Sequence, residues 1–550
     1  MKLLILALDG FDPNLFSRWR DQLPNLSLIA DQGEFHPVAS TLPPMTFPAW
    51  SSFLTGVNPG KHGIFDFTER LPGRLAVRFV NATRRRYPTF LRLASAQGLS
   101  VGSIGLPTTY PPEPLSGYQI AGFDTPLPSR ADPSYVFPRE LAAKIERRMG
   151  GYYFGDFNES RIGRRWHRRV LKKLAASLQR KRDLVRFLQK EIPVDLLLVH
   201  VGETDTVGHH FWSFCDPGSP RRVPSCDLEL ADAIQTIYRS ADDLVGDLMR
   251  ACQPEAAIVI SDHGMGGASD RMVYLNRFLA EKGFLRFSKS PSWSPWMGKL
   301  KTLGMKRMPY RLQQQFFKVA SGSIASRIES LQRFSGIDWS NTVAYSEELN
   351  YFPAIYLNLQ GREPLGVVSP ERTDGVLNEI QAALLTWRDP ADGSAIVRAV
   401  HRRDEIYFGP EIAFAPDLIL ELNQPDGYSY GLGKSADSRA KFGWRRLDAS
   451  EYVGYKGASM NGSHRQHGTF VIAADAPLSP IQSDFSLLDL APTILSLLDI
   501  PIPTWMDGRS LLAGSKTGPD MSVLLVEDYP YSPQQERNLQ KRLIDLGYLG

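Results

Sequence analysis

Asp205 and His209, in the stretch GETDTVGHHFW (202–212), stand four residues apart. On a helix that spacing puts both side chains on one face, where a carboxylate oxygen and an imidazole nitrogen can hold the same metal ion. His210, one residue on, faces elsewhere. A second pair, Asp262 and His263 in SDHGM (261–265), is adjacent in the chain. Neighbouring side chains on extended backbone point apart, so this pair reaches one ion only from a bend, which Gly264, Gly266 and Gly267 would make easy. GSHRQHG (462–468) offers two competing histidines, His464 and His467, and a further carboxylate, Asp9, ends the N-terminal apolar run. Three carboxylates and three imidazoles form a mixed oxygen and nitrogen set that suits Zn2+, or Mn2+ at lower affinity, and six ligands suit two ions better than one. Two ions about 4 Å apart can activate an attacking oxygen and stabilise a leaving one in phosphoryl transfer.

An attacking oxygen is available in TLPPMTFPAWSSFLTGVNPGKHGIFD (41–66). Pro43 and Pro44 hold the approach extended, and Phe47, Trp50, Ser51, Phe53 and Leu54 recur at helical spacing up to Gly56. Thr46 then falls at the N-cap, beside free backbone N–H groups that suit a phosphate. Taken alone, a threonine there caps the helix. With six ligands converging, it reads as a nucleophile.

These residues need a scaffold that brings four distant places to one edge. Lys2–Leu8, Ser100–Leu106, Asp195–Val201 and Ala256–Ser261 are apolar runs of the kind buried in parallel sheets, and Thr469–Ala473 is a further strand. Helices are expected at Thr89–Gln97, Leu228–Met249 and Leu487–Leu498. In open α/β sheets the working residues lie just past the carboxyl ends of strands, where Asp9, Asp205 and Asp262 fall. From about Asn276 to Gly454 strands are no longer followed by ligand candidates, so this part reads as an insertion. It contains an aromatic and basic stretch (284–334), read as a helical cap or a lipid- or substrate-facing surface, and a small α+β subdomain. The organisation expected is a catalytic core at 1–275 and 455–515, an inserted cap at 276–454 and a peripheral tail at 516–550.

At 550 residues the chain is long enough for a large core with insertions. Its 43% hydrophobic and 22% charged content is that of a globular protein, and a formal charge of +4 is too small to imply nucleic acid. Three cysteines without a CxxC pattern argue against a disulfide framework and for a reducing compartment, so a cytoplasmic location is expected. The N-terminal apolar run is too short for a signal sequence. A basic segment from Arg161 to Arg182 contains no acidic residue; it is a solvated helix face, or a surface for an anionic substrate or peripheral membrane contact.

ALDGFDP with Asp9, PPMTFPAWSSFLTGVNPGKHGI with Thr46, ETDTVGHHFW, SDHGM and GSHRQHG together resemble the alkaline phosphatase superfamily, in its type I phosphodiesterase and nucleotide pyrophosphatase branch. The resemblance extends to NLQGREPLG (358–366) and APDLIL (415–420) in the insertion. It implies an α/β, alkaline phosphatase-like core whose mostly parallel sheet lies between helical layers. It further implies one metal held by Asp205, His209 and His464, another held by Asp9, Thr46, Asp262 and His263, and hydrolysis of phosphodiester or pyrophosphate bonds through a phosphothreonine. His464 is favoured over His467 by position in the family motif. Lys61 and His62 are candidates for gripping phosphate. Phe67 stands where nucleotide pyrophosphatases carry an asparagine that contacts phosphate, which speaks against nucleotides, and the stretch after Thr46 lacks the sulfatase precursor motif. A phosphomonoesterase or phosphotransferase on the same site, and a non-catalytic anion- or membrane-binding protein of this fold, are the alternative readings.

Overall fold

The computed structural model describes residues 1–126, 133–151, 162, 164–223, 228–288, 330, 333–334, 336–349, 352–437, 439–454, 460–481, 483–519 and 530–545. An eight-stranded sheet forms its centre. Across the sheet the strands run Glu34–Ala39, His467–Ala473, Ala256–Ile260, Leu3–Leu8, Leu196–Val201, Val101–Ile104, Gly117–Ile120 and Val136–Phe137. The five from Ala256–Ile260 to Gly117–Ile120 are mutually parallel, while His467–Ala473 and Val136–Phe137 run antiparallel to their neighbours. All six residues of Leu3–Leu8 and of Leu196–Val201 are buried, as continuous apolar runs in a covered parallel sheet require.

Alternation along the strands divides the core between two faces. Leu4, Leu6 and Leu8 pack with Leu197, Val199 and Val201 under the helices Arg164–Glu191 and Ala233–Cys252. Leu3, Ile5 and Ala7 pack with Leu196 and Leu198 under Thr46–Thr55, Phe90–Ala96 and Leu490–Leu497. Thr89 caps the second of these by accepting the Arg92 N–H. The helix expected at Leu228–Met249 is divided into Leu228–Ala231 and Ala233–Cys252.

Gly264–Val273 continues directly from the Asp262–His263 bend and is the hub of a second sheet, pairing with Gly462–Arg465, Trp444–Arg446 and Ser429–Leu432. The glycines here are strand residues, and their role is close approach. A Cβ on Gly264 would lie 2.2 Å from the His467 carbonyl oxygen, and one on Gly267 would lie 2.6 Å from Trp212 Nε1. Further along the chain, Ala344–Tyr345, Ala354–Leu357, Leu418–Leu422 and Val397–Arg402 form a four-stranded antiparallel sheet with the helix Thr373–Leu385 packed against it. Most of the aromatic and basic stretch at 284–334 lies outside the described residues, as does Arg161.

The helix Arg164–Glu191 buries Leu171, Leu174, Leu178, Leu184 and Leu188 in the core, while Arg165, Arg168, Arg169 and Lys172 are exposed. Pro533–Asp545 is amphipathic rather than polar throughout. Leu539 and Leu543 are buried, and Tyr531 just before it stacks on Tyr110. Among the described residues, no helix is long and apolar enough to cross a membrane.

Candidate functional site

Register decides which residues meet. Leu8 lies opposite Val201 and Ala7 opposite Ile260, so continuing each strand brings Asp9 level with Asp262 and the start of the helix Glu203–Cys215 beside both. The Gly10 N–H donates to Asp262 Oδ1 (3.3 Å) across this edge. Gly10 has φ +61°, and a Cβ there would come within 3.0 Å of Asp205 Cα, so the chain turns tightly under the ligand helix. His467–Ala473 and Glu34–Ala39 pair antiparallel, which returns both the Gly462–Arg465 strand and the approach to Thr46 to the same edge.

Asp205 and His209 share a helix face, with His209 Nε2 2.9 Å from Asp205 Oδ1. His464 Nε2 lies 3.5 Å from the same oxygen and 3.0 Å from His209 Nε2. On the other side, His263 Nε2 is 3.3 Å from Asp262 Oδ2 and 3.6 Å from Asp9 Oδ1. The donor atoms of Asp205, His263 and His464 all lie within 4.8 Å of one another, and so do those of Asp9, Asp262 and His263. His467 starts its strand exposed, whereas His464 is buried, so of the two competing histidines only His464 joins the cluster.

Each of the three histidines donates Nδ1–H to a backbone carbonyl: His209 to Gly462 (3.1 Å), His263 to Gly264 (3.1 Å) and His464 to Pro44 (2.7 Å). A carbonyl can only accept, so the proton is on Nδ1 and the Nε2 lone pairs converge. Burial disfavours the imidazolium form, with the neighbouring His464 adding to the effect, and holds His263 at about 4; burial also lowers His464. Burial, together with the nearby Asp9 and Asp205, raises Asp262 well above the ordinary carboxylate range. Asp9 is opposed by burial yet is held below that range by its hydrogen bond from His200.

The donor set fits divalent cations. Asp9 Oδ1, Thr46 Oγ1, Asp262 Oδ2 and His263 Nε2 are all buried without a hydrogen-bond partner. Each such atom costs about 1–3 kcal/mol when unpaired, and a cation ligated by them offsets that cost.

Thr46, expected at the N-cap, is instead the first residue of the helix Thr46–Thr55; Met45 is the N-cap, and no side chain caps the helix. The hydroxyl is therefore not consumed as a cap. Two contacts bracket it. Two residues earlier the Pro44 carbonyl accepts from His464, and four residues later, on the same helix face, Trp50 Nε1 donates to Asp9 Oδ2 (3.1 Å).

Lys61 and His62 are turned to other partners. Lys61 Nζ donates to the Trp505 carbonyl (3.0 Å) and pairs with Asp507. His62, fully buried, meets Ser52 Oγ at 3.0 Å and accepts from the Ile64 N–H, and burial, aided by Arg85 and Arg84, lowers it to about 3. Phe67 packs on Phe47, ring centroids 4.3 Å apart, next to the nucleophile candidate.

Sequence reasoning missed His200, whose Nε2 lies 3.0 Å from Asp9 Oδ2, and the donor role of Trp50. His200 falls on the strand face of Leu196 and Leu198, the face covered by Trp50. The one polar residue in the strand LLLVHV (196–201) was the available signal.

A mostly parallel sheet between helical layers, with the ligand candidates at its carboxyl edge, is an alkaline phosphatase-like fold. The sequence model of type I phosphodiesterase / nucleotide pyrophosphatase matches residues 3–445, and the chain belongs to that family of phosphoric ester hydrolases. Among solved structures it is similar to phosphonoacetate hydrolase from Sinorhizobium meliloti 1021 in complex with phosphonoacetate. There the TM-score is 0.50 and the identity 16%, over 89% of this chain and 94% of the other. It is also similar to human ectonucleotide pyrophosphatase / phosphodiesterase 5, with a TM-score of 0.43 and 15% identity over 93% of this chain and 97% of the other. No curated protein matches the chain in sequence.

Proposed function

We propose that this chain hydrolyses phosphodiester or pyrophosphate bonds, with Thr46 as nucleophile and two divalent ions, Zn2+ or at lower affinity Mn2+, held by Asp9, Asp205, His209, Asp262, His263 and His464. The observation that carries this reading is the Thr46 hydroxyl, buried and without a hydrogen-bond partner at a helix N-terminus, bracketed by contacts to His464 and Asp9. When bound, the ions would lower the pKa of a hydroxyl and neutralise charge on phosphate oxygens.

The rest belongs to protein atoms. Thr46 Oγ1 gives up its proton to solvent and forms the bond to phosphorus as the bond to the leaving oxygen breaks, the leaving oxygen taking a proton from solvent; water then attacks phosphorus, the Oγ1–P bond breaks, and Oγ1 regains its proton. The N–H groups of Thr46 and Phe47 stand at the helix start, where Pro48 has none and Ala49 donates to the Met45 carbonyl, and would meet phosphate oxygens. Trp50 and His200 fix the Asp9 carboxylate, and the three Nδ1–H bonds fix the imidazoles. Phe47 and Phe67 give the nucleophile an apolar neighbour, which supports a singly charged diester over a doubly charged monoester.

The test compares bis(4-nitrophenyl) phosphate with 4-nitrophenyl phosphate on the metal-loaded protein. The diester is expected to turn over faster, and Thr46→Ala is expected to lower kcat by about three orders of magnitude or more. Preference for the monoester would make the chain a phosphomonoesterase or phosphotransferase, and full turnover by Thr46→Ala would remove the covalent step.

A further inference from the structure

A cleft of about 150 Å³ lies between the edge that carries the ligand candidates and the strands that follow residue 417. Its inner wall is Pro44, Gly462, Ser463 and His464, and its outer wall comes from Leu418–Leu422 and Ser429–Leu432. Most of the lining is apolar, with Leu42, Met272, Leu420, Leu422, Leu432 and Met460 among it.

Of the polar side chains on this lining, the larger ones on both walls are committed within the protein, leaving Gln424, exposed at the rim, and the small Ser463 hydroxyl. Tyr430 donates to Asp389 (2.7 Å), Gln466 donates to the Ser40 and Thr41 carbonyls (2.8 and 3.2 Å), and Arg398 pairs with Glu421. Arg221, 1% exposed, donates to the Ser269 carbonyl (2.6 Å) and to that of Met460. Recognition of a base or a sugar needs convergent donors and acceptors aimed at the ligand. An apolar group needs only the surface.

The cleft adjoins the site at one residue. His464 is both a ligand candidate and part of the wall, and its Nδ1–H holds the carbonyl of Pro44, two residues before Thr46. A substituent on a phosphorus held at Thr46 is therefore led along Pro44 into the cleft. The geometry points to this cleft as the seat of an apolar ester arm of the substrate, an alkyl or aryl group carried on phosphorus. The assignment rests on the phosphodiesterase reading above, and it narrows the substrate class to diesters with one apolar arm.

The test is calorimetric binding of alkylphosphonates, methyl to hexyl, to the metal-loaded protein. Affinity is expected to rise about fourfold per methylene until the cleft is filled. Leu422→Lys, at the partly exposed end of its strand and outside the ligand set, is expected to flatten that rise and leave methylphosphonate affinity unchanged, whereas Leu422→Met retains it. Affinity independent of chain length, or an equal rise in Leu422→Lys, overturns the assignment. Turnover of methyl 4-nitrophenyl phosphate reports separately on the reaction: its absence beside an intact chain-length series refutes the phosphodiesterase reading and leaves the cleft as an apolar-arm site.

Discussion

Asp9 is held by two neighbours that perform no chemistry themselves. Trp50 and His200 both reach its Oδ2 and leave Oδ1 to face His263. Removing the indole N–H while keeping an apolar ring isolates that contribution, so Trp50→Phe is expected to weaken metal affinity roughly 10–100-fold with the fold intact. Isothermal titration of the metal-free protein measures it, and unchanged affinity refutes the positioning role. Asp124 illustrates a different effect. Burial raises its carboxyl to about 7, opposed by the Tyr110 N–H among other groups and by Arg542, and Oδ1 has no partner. A carboxyl raised on folding gives stability that is complete below its unfolded pKa and lost as pH climbs to the folded value. Stability is therefore expected to fall between about pH 4 and pH 7, by up to about 4 kcal/mol, and Asp124→Asn is expected to abolish that fall in denaturant titrations across this range. Asp9, Asp205, Asp262 and His263 were legible as ligand candidates because each lies at or just past the end of an apolar strand. His200 and Trp50 were not, since a histidine inside a strand and a tryptophan inside a helix have the composition of core.

The helix that carries Asp205 and His209 is tied to the basic helix by a buried pair, Lys181 Nζ to Glu203 Oε2 at 2.5 Å, two residues before Asp205. Breaking such a pair strands a charge. Lys181→Met is expected to destabilise the protein by about 3–5 kcal/mol, and adding Glu203→Leu to recover most of that loss. Urea unfolding of the single and double variants decides it; a Lys181→Met cost below 1 kcal/mol would contradict it. The basic helix is thus structural on one side whatever its exposed arginines meet. Elements with regular apolar patterns were readable, but Glu34–Ala39 and Gly264–Val273 were not. The first is an edge strand that contains Pro37, tolerated because one side of an edge strand pairs with nothing in the sheet. The second, GMGGASDRMV, has little strand propensity and is set by neighbours on both sides, its glycines admitting their close approach.

Over the whole molecule, three buried carboxylates, Asp9, Asp205 and Asp262, crowd one edge of the sheet, and four separated segments depend on that edge for their arrangement. Cations bound there would link the core strands, the helix Glu203–Cys215 and the Gly462–Arg465 strand. Chelation is accordingly expected to lower Tm, and restoring Zn2+ at about 100 times its Kd to return roughly 2.7 kcal/mol, with Tm rising as metal concentration rises. Scanning calorimetry of chelated and reloaded protein tests this, and a metal-independent Tm contradicts it. The parallel arrangement followed from the pattern of apolar runs, whereas the cleft beside His464 depends on contacts between segments that no local pattern records. The central claim is that Thr46 carries phosphate during turnover. Rapid acid quench of the metal-loaded enzyme with a phosphodiester, followed by mass spectrometry of its peptides, tests it most directly. A phosphoryl group on the peptide containing Thr46, absent from Thr46→Ala, is the predicted result; steady-state turnover with that peptide unmodified at every quench time would contradict it.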